Sequence, residues 1–422
     1  MARLVFLQLN EYELHGPESI SALLSAHGHK TRLVAAGLER DPMAVIADFE
    51  PSVVGIGLTT VEREEALAWA RAIKKRTAAA VLLGGIDPTF RPELALEPGV
   101  DAVVRGEAEL TLLELMDRVE RGEDFSDLPN LAVNRGGELI ENPIRPLLEN
   151  LDDLPFPDKE LYLGPYKYYR SYPTRFFMAS RGCPHNCNYC ANRGLRKLYP
   201  NPECYVRFKS PRYLAEEIRL TISRHPARTI GFNDDLFTHR LSWLEEFLPL
   251  YKKTIGKPFF CCARIDQMDD EKARLLAECG CYACFYGLET ANPKTRELML
   301  GRRMDNEQIK QGVTALHRRG IKTQSYNMLN LPGETLEDGL ATLRFNLELK
   351  NDFVVASLFQ PFVGTELAER LVAEGRIDHL ERLSNRETLS YFAFSSAGDE
   401  RAPEPAETVH HREPFSRADS SH

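Results

Sequence analysis

Ser180-Arg-Gly-Cys183-Pro-His-Asn-Cys187-Asn-Tyr-Cys190 is the stretch on which the fold of this chain turns. It packs three thiols into eight residues, with the spacing Cys-x3-Cys-x2-Cys. Iron-sulfur clusters usually take four cysteine thiolates. A set of three therefore leaves one iron of a 4Fe-4S cluster open, by the same logic that keeps one position vacant on a catalytic metal. Zinc would call for a fourth Cys or His at matched spacing, and His185 lies between two of the thiols, where it hardly reaches the same ion. A disulfide framework belongs to short secreted chains, whereas this one has 422 residues, nine cysteines and no secretion signal.

The strand Arg175-Phe-Phe-Met-Ala-Ser180 delivers that loop. Further strands are expected at 228–232, 258–263, 282–287, 321–328 and 353–360, separated by helices at 210–223, 241–253, 269–279 and 305–319. Six βα units make a partial barrel, whose chemistry belongs at the C-terminal ends of the strands. Ahead of it, strands near 3–8, 30–35, 53–57, 80–84 and 101–104 alternate with helices, the pattern of a doubly wound parallel sheet. The expected division is an α/β domain over 1–145, a linker at 146–170 with the Pro-rich acidic turn Leu151-Asp-Asp-Leu-Pro-Phe-Pro-Asp158, the barrel over 171–375, an extension at 376–394, and a tail at 395–422 too poor in apolar residues to fold.

With a net charge of −9, the chain has no overall basic footprint for nucleic acid. Its apolar N-terminal run is too short for a signal-peptide core, and no stretch reads as a membrane span. Free, clustered cysteines point to a reducing compartment, the cytoplasm.

The cysteine spacing, with Tyr189 just before the last thiol, resembles the signature of the radical SAM family. That resemblance implies that S-adenosylmethionine chelates the open iron and is cleaved to a 5'-deoxyadenosyl radical, with electrons from a donor such as flavodoxin or ferredoxin. It further implies that Asn233, Asp234 or Asp235 meets the ammonium group, that Glu289 meets the ribose, and that Tyr189 lies on the adenine. Arg302 or Arg303 would hold the carboxylate. Asn330-Leu-Pro-Gly-Glu334 and Gln360-Pro-Phe-Val-Gly-Thr365 resemble motifs that wall the adenine. An Asx turn or helix cap is the plain alternative for the Asp pair, and a solvated surface for the arginines.

The first domain resembles the cobalamin-binding domain that precedes many radical SAM barrels, with Thr59, Thr60, Gly84 and Gly85 at the matching positions. No Gly-x-Gly-x-x-Gly follows the first strand, which disfavours a dinucleotide site. In Glu13-Leu-His15-Gly-Pro-Glu18 only the histidine of the wider family's Asp-x-His-x-x-Gly loop remains. His15 is either a cobalt ligand, oriented by Glu13, or a loop histidine. The implied activity is methylation of an unactivated carbon from methylcobalamin, on a small-molecule or lipid substrate. Rearrangement, ring contraction or cyclisation is the alternative, and a cofactor-binding sensor is the reading from another class.

Two further groups are read plainly. Cys261, Cys262, Cys279, Cys281 and Cys284 are expected to be buried core thiols rather than a second cluster. The tyrosines of Tyr162-Leu-Gly-Pro-Tyr-Lys-Tyr-Tyr-Arg-Ser-Tyr172 either line a substrate entrance or pack.

Overall fold

A computed structural model describes residues 1–377; the expected tail and nearly all of the 376–394 extension lie outside the described residues. The first sheet contains β1 (Arg3–Gln8), β2 (Lys30–Ala35), β3 (Val53–Gly57), β4 (Ala80–Gly84) and β5 (Ala102–Val104), all parallel, followed by β6 (Leu131–Arg135) and β7 (Glu138–Glu141). Strand order is β2-β1-β3-β4-β5-β6-β7. Its parallel strands are apolar on both faces, as a sheet covered by helices on both sides requires. The chain reverses its winding direction between β1 and β3, and the loops after those strands flank that switch point.

The hairpin β6–β7 extends the five expected strands. Its turn carries Gly136 and Gly137, both at positive φ, and β6 pairs antiparallel with β5 and β7. The signal present in the sequence was the Gly-Gly pair between the short apolar runs Leu131-Ala-Val133 and Leu139-Ile140.

The barrel sheet follows. After β8 (Thr174–Phe177), a two-residue pair, β9 (Ser180–Arg181) and β10 (Arg207–Phe208), ties down the cysteine loop. The ladder then runs through β11 (Thr229–Phe232), β12 (Phe259–Cys262), β13 (Cys281–Glu289), β14 (Lys322–Leu329) and β15 (Phe353–Leu358). Each of the six strands pairs parallel with the next in chain order, which is the expected partial barrel.

Side chains alternate across these strands. Phe177, Phe232 and Phe259 turn outward to the covering helices, where they meet Trp243, Phe247 and Tyr251 in one core. On the other face Phe260 stacks on Phe285 at 4.8 Å between ring centres and meets Phe176 edge-on. Aromatic rings thus fill the inner face, and polar residues gather at the C-terminal strand ends.

The tyrosine-rich segment packs rather than lining an entrance. Tyr162, Tyr166 and Tyr169 are buried in the core of the first domain, and the Tyr162 hydroxyl donates to Gln8 Oε1 at 2.6 Å. Large rings with a polar tip suit this use, since they bury area and still find a partner. The linker is thereby part of the first domain's core.

The two units meet at their C-terminal edges. Arg181, just before the cysteine loop, pairs with Glu109 at 2.5 Å and with Glu107 at 3.1 Å, both beyond β5. Phe90, beyond β4, sits against Gly194 and Gly364, where any Cβ would collide with its ring.

Candidate functional site

The expected barrel residues lie at the C-terminal ends of strands or in the loops after them, except Arg302 and Arg303, which follow the short helix Pro293–Leu298 beyond β13. The cysteine loop leaves β8 and is held on all sides. Gly182 has φ +82° and a Cβ there would stand 2.3 Å from the Tyr205 carbonyl, so only glycine passes. Asn188 N donates to Leu300 O at 2.9 Å, and Leu367 N donates to Asn188 O at 2.8 Å. These bonds fix the loop against the segment after β13 and against the helix Glu366–Ala373.

All three cysteines are free thiols, Cys187 buried and the other two half-buried. Burial pushes Cys183 up to about 11 and raises Cys190 as well, so a metal rather than water has to draw off their protons. N–H groups already face two of the sulfurs: Asn192 Nδ2 lies 3.5 Å from Cys190 Sγ, and Arg264 Nη1 lies 3.9 Å from Cys187 Sγ. Thiolates in an N–H-rich, solvent-shielded loop are a donor set that suits an iron-sulfur cluster.

Of the three residues after β11, Asp234 is buried and serves the loop. It accepts from the backbone N–H of Ala179 at 3.1 Å and from the N–H and hydroxyl of Ser180. Burial lifts its carboxyl to about 6. Asn233 and Asp235 keep exposed surface at the barrel mouth and remain open to a ligand.

Tyr189, Glu289 and Arg302 come together. The Tyr189 hydroxyl donates to Glu289 Oε1 at 2.8 Å and accepts from Arg302 Nη1 at 3.0 Å, while Arg302 Nη2 donates to Gly287 O at 2.6 Å. Both terminal nitrogens of Arg302 are thus engaged, and its buried Nε is unpartnered. Arg303 points away, its side chain 88% exposed and 3.8 Å from Glu297. Glu289 and Asn330 end neighbouring strands at φ 68° and 62°. Non-glycine residues held there carry strain of about 1–3 kcal/mol each and cluster at functional sites.

On the first sheet, Gly84 and Gly85 end β4, Thr60 is buried and Thr59 is exposed. The Thr59 hydroxyl is spent on Glu62 at 2.9 Å. Tyr12, Val61 and Ile86, in the loops after β1, β3 and β4, expose 68%, 48% and 41% of their surface. An open switch-point edge rimmed by apolar side chains fits a large flat ligand such as a corrin.

His15 begins the helix His15–Ala26 and is not gathered with those residues. Its Nδ1 lies 3.0 Å from Glu18, so the orienting carboxylate is Glu18 rather than the expected Glu13. Glu13 and Glu18 instead share Lys159 Nζ, at 2.8 and 2.7 Å. The free Nε2 is buried and without a partner, in a pocket of about 30 Å³ walled by Met178, Ser180, Arg181 and Lys209. Such a volume holds about one water.

The remaining cysteines hold one surprise. The sulfurs of Cys261, Cys281 and Cys284 all lie within 4.8 Å of one another. Phe259 and Phe260 face Cys281 and Ala283, so Tyr282 is an extra residue in β13. This bulge turns Cys281 and Cys284 to the same side. They lie in the apolar core with Tyr251 and Leu276, where three thiolates would be uncompensated charges. Cys279 is buried as well, whereas Cys262 is only half-buried, contrary to expectation.

Sequence reasoning missed Arg264, Asp266 and Asn192. The first two stand in Cys262-Ala-Arg-Ile-Asp266, directly after a barrel strand, and that position alone was the available signal.

Two family models match the chain, one in each unit. Residues 178–345 match the model of the radical SAM superfamily, and residues 12–116 match that of the B12 binding domain. A Pyrococcus horikoshii protein named as an uncharacterized methyltransferase is 29% identical over 79% of this chain and 72% of its own length. The anaerobic magnesium-protoporphyrin IX monomethyl ester cyclase of Rubrivivax gelatinosus is 26% identical over 77% of this chain and 59% of its own. Among solved structures, the radical S-adenosylmethionine methyltransferase TsrM of Kitasatospora setae, with cobalamin and a [4Fe-4S] cluster bound, superposes with a TM-score of 0.73 at 18% identity, over 89% of this chain and 75% of that one. The likeness to TsrM is one of fold.

Proposed function

Because the chain belongs to the radical SAM superfamily and carries a B12-binding domain ahead of its barrel, we propose that it methylates an unactivated carbon of a small-molecule or lipid substrate, using a 4Fe-4S cluster, S-adenosylmethionine and cobalamin. The observation that supports this reading is the meeting of two C-terminal edges: Arg181, just before the loop bearing Cys183, Cys187 and Cys190, pairs with Glu107 and Glu109 beyond β5, and Gly194, just after it, packs on Phe90 beyond β4. When bound, the cluster supplies the electron that cleaves S-adenosylmethionine and the cobalamin supplies the methyl group.

The chain's own residues bind and orient. Cys183, Cys187 and Cys190 would hold the cluster, and Asp234 fastens the start of their loop. Asn233 and Asp235 offer oxygen acceptors to the ammonium group. Glu289 keeps Oε2 for the ribose while its Oε1 accepts from Tyr189, whose ring would lie against the adenine. The carboxylate falls to Arg302 through its free Nε; Arg303 is too exposed for that task. Thr59, Thr60, Gly84 and Gly85 line the corrin's edge of the sheet, and His15 serves the Lys159 network.

Among the described residues no helix is long and apolar enough to cross a membrane. We assign the protein to the cytoplasm, with a low-potential donor of the flavodoxin or ferredoxin kind. The test is anaerobic reconstitution with cobalamin and mass analysis of the products. Methyl transfer yields both 5'-deoxyadenosine and S-adenosylhomocysteine; 5'-deoxyadenosine alone would turn the reading to rearrangement or cyclisation.

A further inference from the structure

A cavity of about 650 Å³ opens beside the cysteine loop, walled by His185, Asn188, Arg264, Asp266, Leu298 and Arg303. Arg264 forms the partition between this cavity and Cys187. Only 8% of Arg264 and 7% of Cys187 is exposed. On one side the guanidinium Nε donates to Asp266 at 2.8 and 3.2 Å; on the other, Nη1 lies 3.9 Å from Cys187 Sγ.

We propose that Arg264 is a positioning residue that raises the reduction potential of the cluster held by Cys183, Cys187 and Cys190, and that Asp266 limits the effect. The proposal rests on the cluster reading above. Reduction adds an electron to a group already surrounded by three thiolates. A cation at van der Waals range from one of those sulfurs stabilises the reduced form more than the oxidised form, and the shielded setting keeps the interaction from being screened. The carboxylate of Asp266 acts with opposite sign on the same centre.

The other charged groups facing Cys187 do not duplicate this role. Arg302 has its charge matched by Glu289 at 3.8 Å and its donors turned to Tyr189 and Gly287. Arg264 with Asp266 is therefore the tunable pair on this wall.

The test is a redox titration of the anaerobically reconstituted full chain, with the cluster followed by electron paramagnetic resonance. Arg264→Gln is expected to move the midpoint to more negative potential, Asp266→Asn to move it to more positive potential, and Arg264→Lys to stay nearer the parent than Arg264→Gln does. Unchanged midpoints, or two shifts of the same sign as simple loosening of the loop would give, overturn the proposal while leaving the cluster reading intact. A parent chain that takes up no iron overturns the cluster reading itself.

Discussion

Cys183 is the residue whose loss is most telling, because it follows Gly182 and opens the loop, with two N–H-supported sulfurs behind it. Replacing it with Ala leaves two thiols for a cluster that needs three. Cys183→Ala protein, reconstituted beside the parent, is expected to lose its iron and form no 5'-deoxyadenosine; retained cleavage would mean that other ligands hold the iron. At this scale the sequence was legible in the short loop of three thiols, whose spacing suits a cluster, and in the position of Glu289 at a strand end, while the role of Glu289 came from the resemblance alone. It was not legible where the role depends on what a folded neighbour does. Asp234 is spent on the Ala179 and Ser180 backbone, Thr59 on Glu62, and Arg302 on Tyr189, and none of those pairings is local in the chain except Thr59 with Glu62.

Among the elements, the helix Leu241–Thr254 shows how the barrel is held. It buries Trp243, Leu244, Phe247 and Tyr251 on one face, with Phe247 stacked on Trp243 at 4.6 Å and edge-on to Phe232 of β11 at 5.8 Å. Truncating so enclosed a ring leaves a cavity, and Phe247→Ala is expected to cost about 3–5 kcal/mol. Urea unfolding measures it, and a loss under about 1 kcal/mol would contradict the packing described. Most strands and the four expected helices of the barrel were readable to within a residue or two because apolar runs alternate with amphipathic segments; the first strand ends at Phe177 rather than Ser180, and the helix Leu336–Leu349 was not placed. The hairpin β6–β7 escaped that reading because it breaks the βα alternation. The β13 bulge escaped too, since a register shift shows only when two strands are paired.

Over the whole molecule, the first domain and the barrel share a buried ionic joint of His15, Glu13, Glu18 and Lys159. Lys209 and Glu217, from the barrel, face it as well. Burial, then Lys159, depresses the imidazole of His15 from 6.5 to about 3. The unfolded chain therefore takes up this proton near pH 6.5 and the folded chain only near pH 3, so stability falls as pH drops through that interval. Glu13 and Glu18, raised by burial, act with the opposite sign, gaining stability as pH falls through their raised values. The comparison of His15→Gln with the parent isolates the imidazole: the variant is expected to show a flatter loss of unfolding free energy from pH 6.5 downward. A parallel pair of curves would contradict the buried neutral state. The same variant is expected to leave the spectrum of bound cobalamin unchanged, since the pocket at Nε2 holds about one water rather than a corrin; an altered spectrum would make His15 a cobalt ligand.

The meeting of these scales is the incompletely ligated iron at the barrel mouth. Anaerobically reconstituted protein, reduced and examined by electron paramagnetic resonance before and after S-adenosylmethionine is added, tests it most directly. The account predicts four irons per chain and a signal that changes on addition, because one iron has no protein ligand. A chain without iron, or a cluster signal indifferent to S-adenosylmethionine, would contradict it.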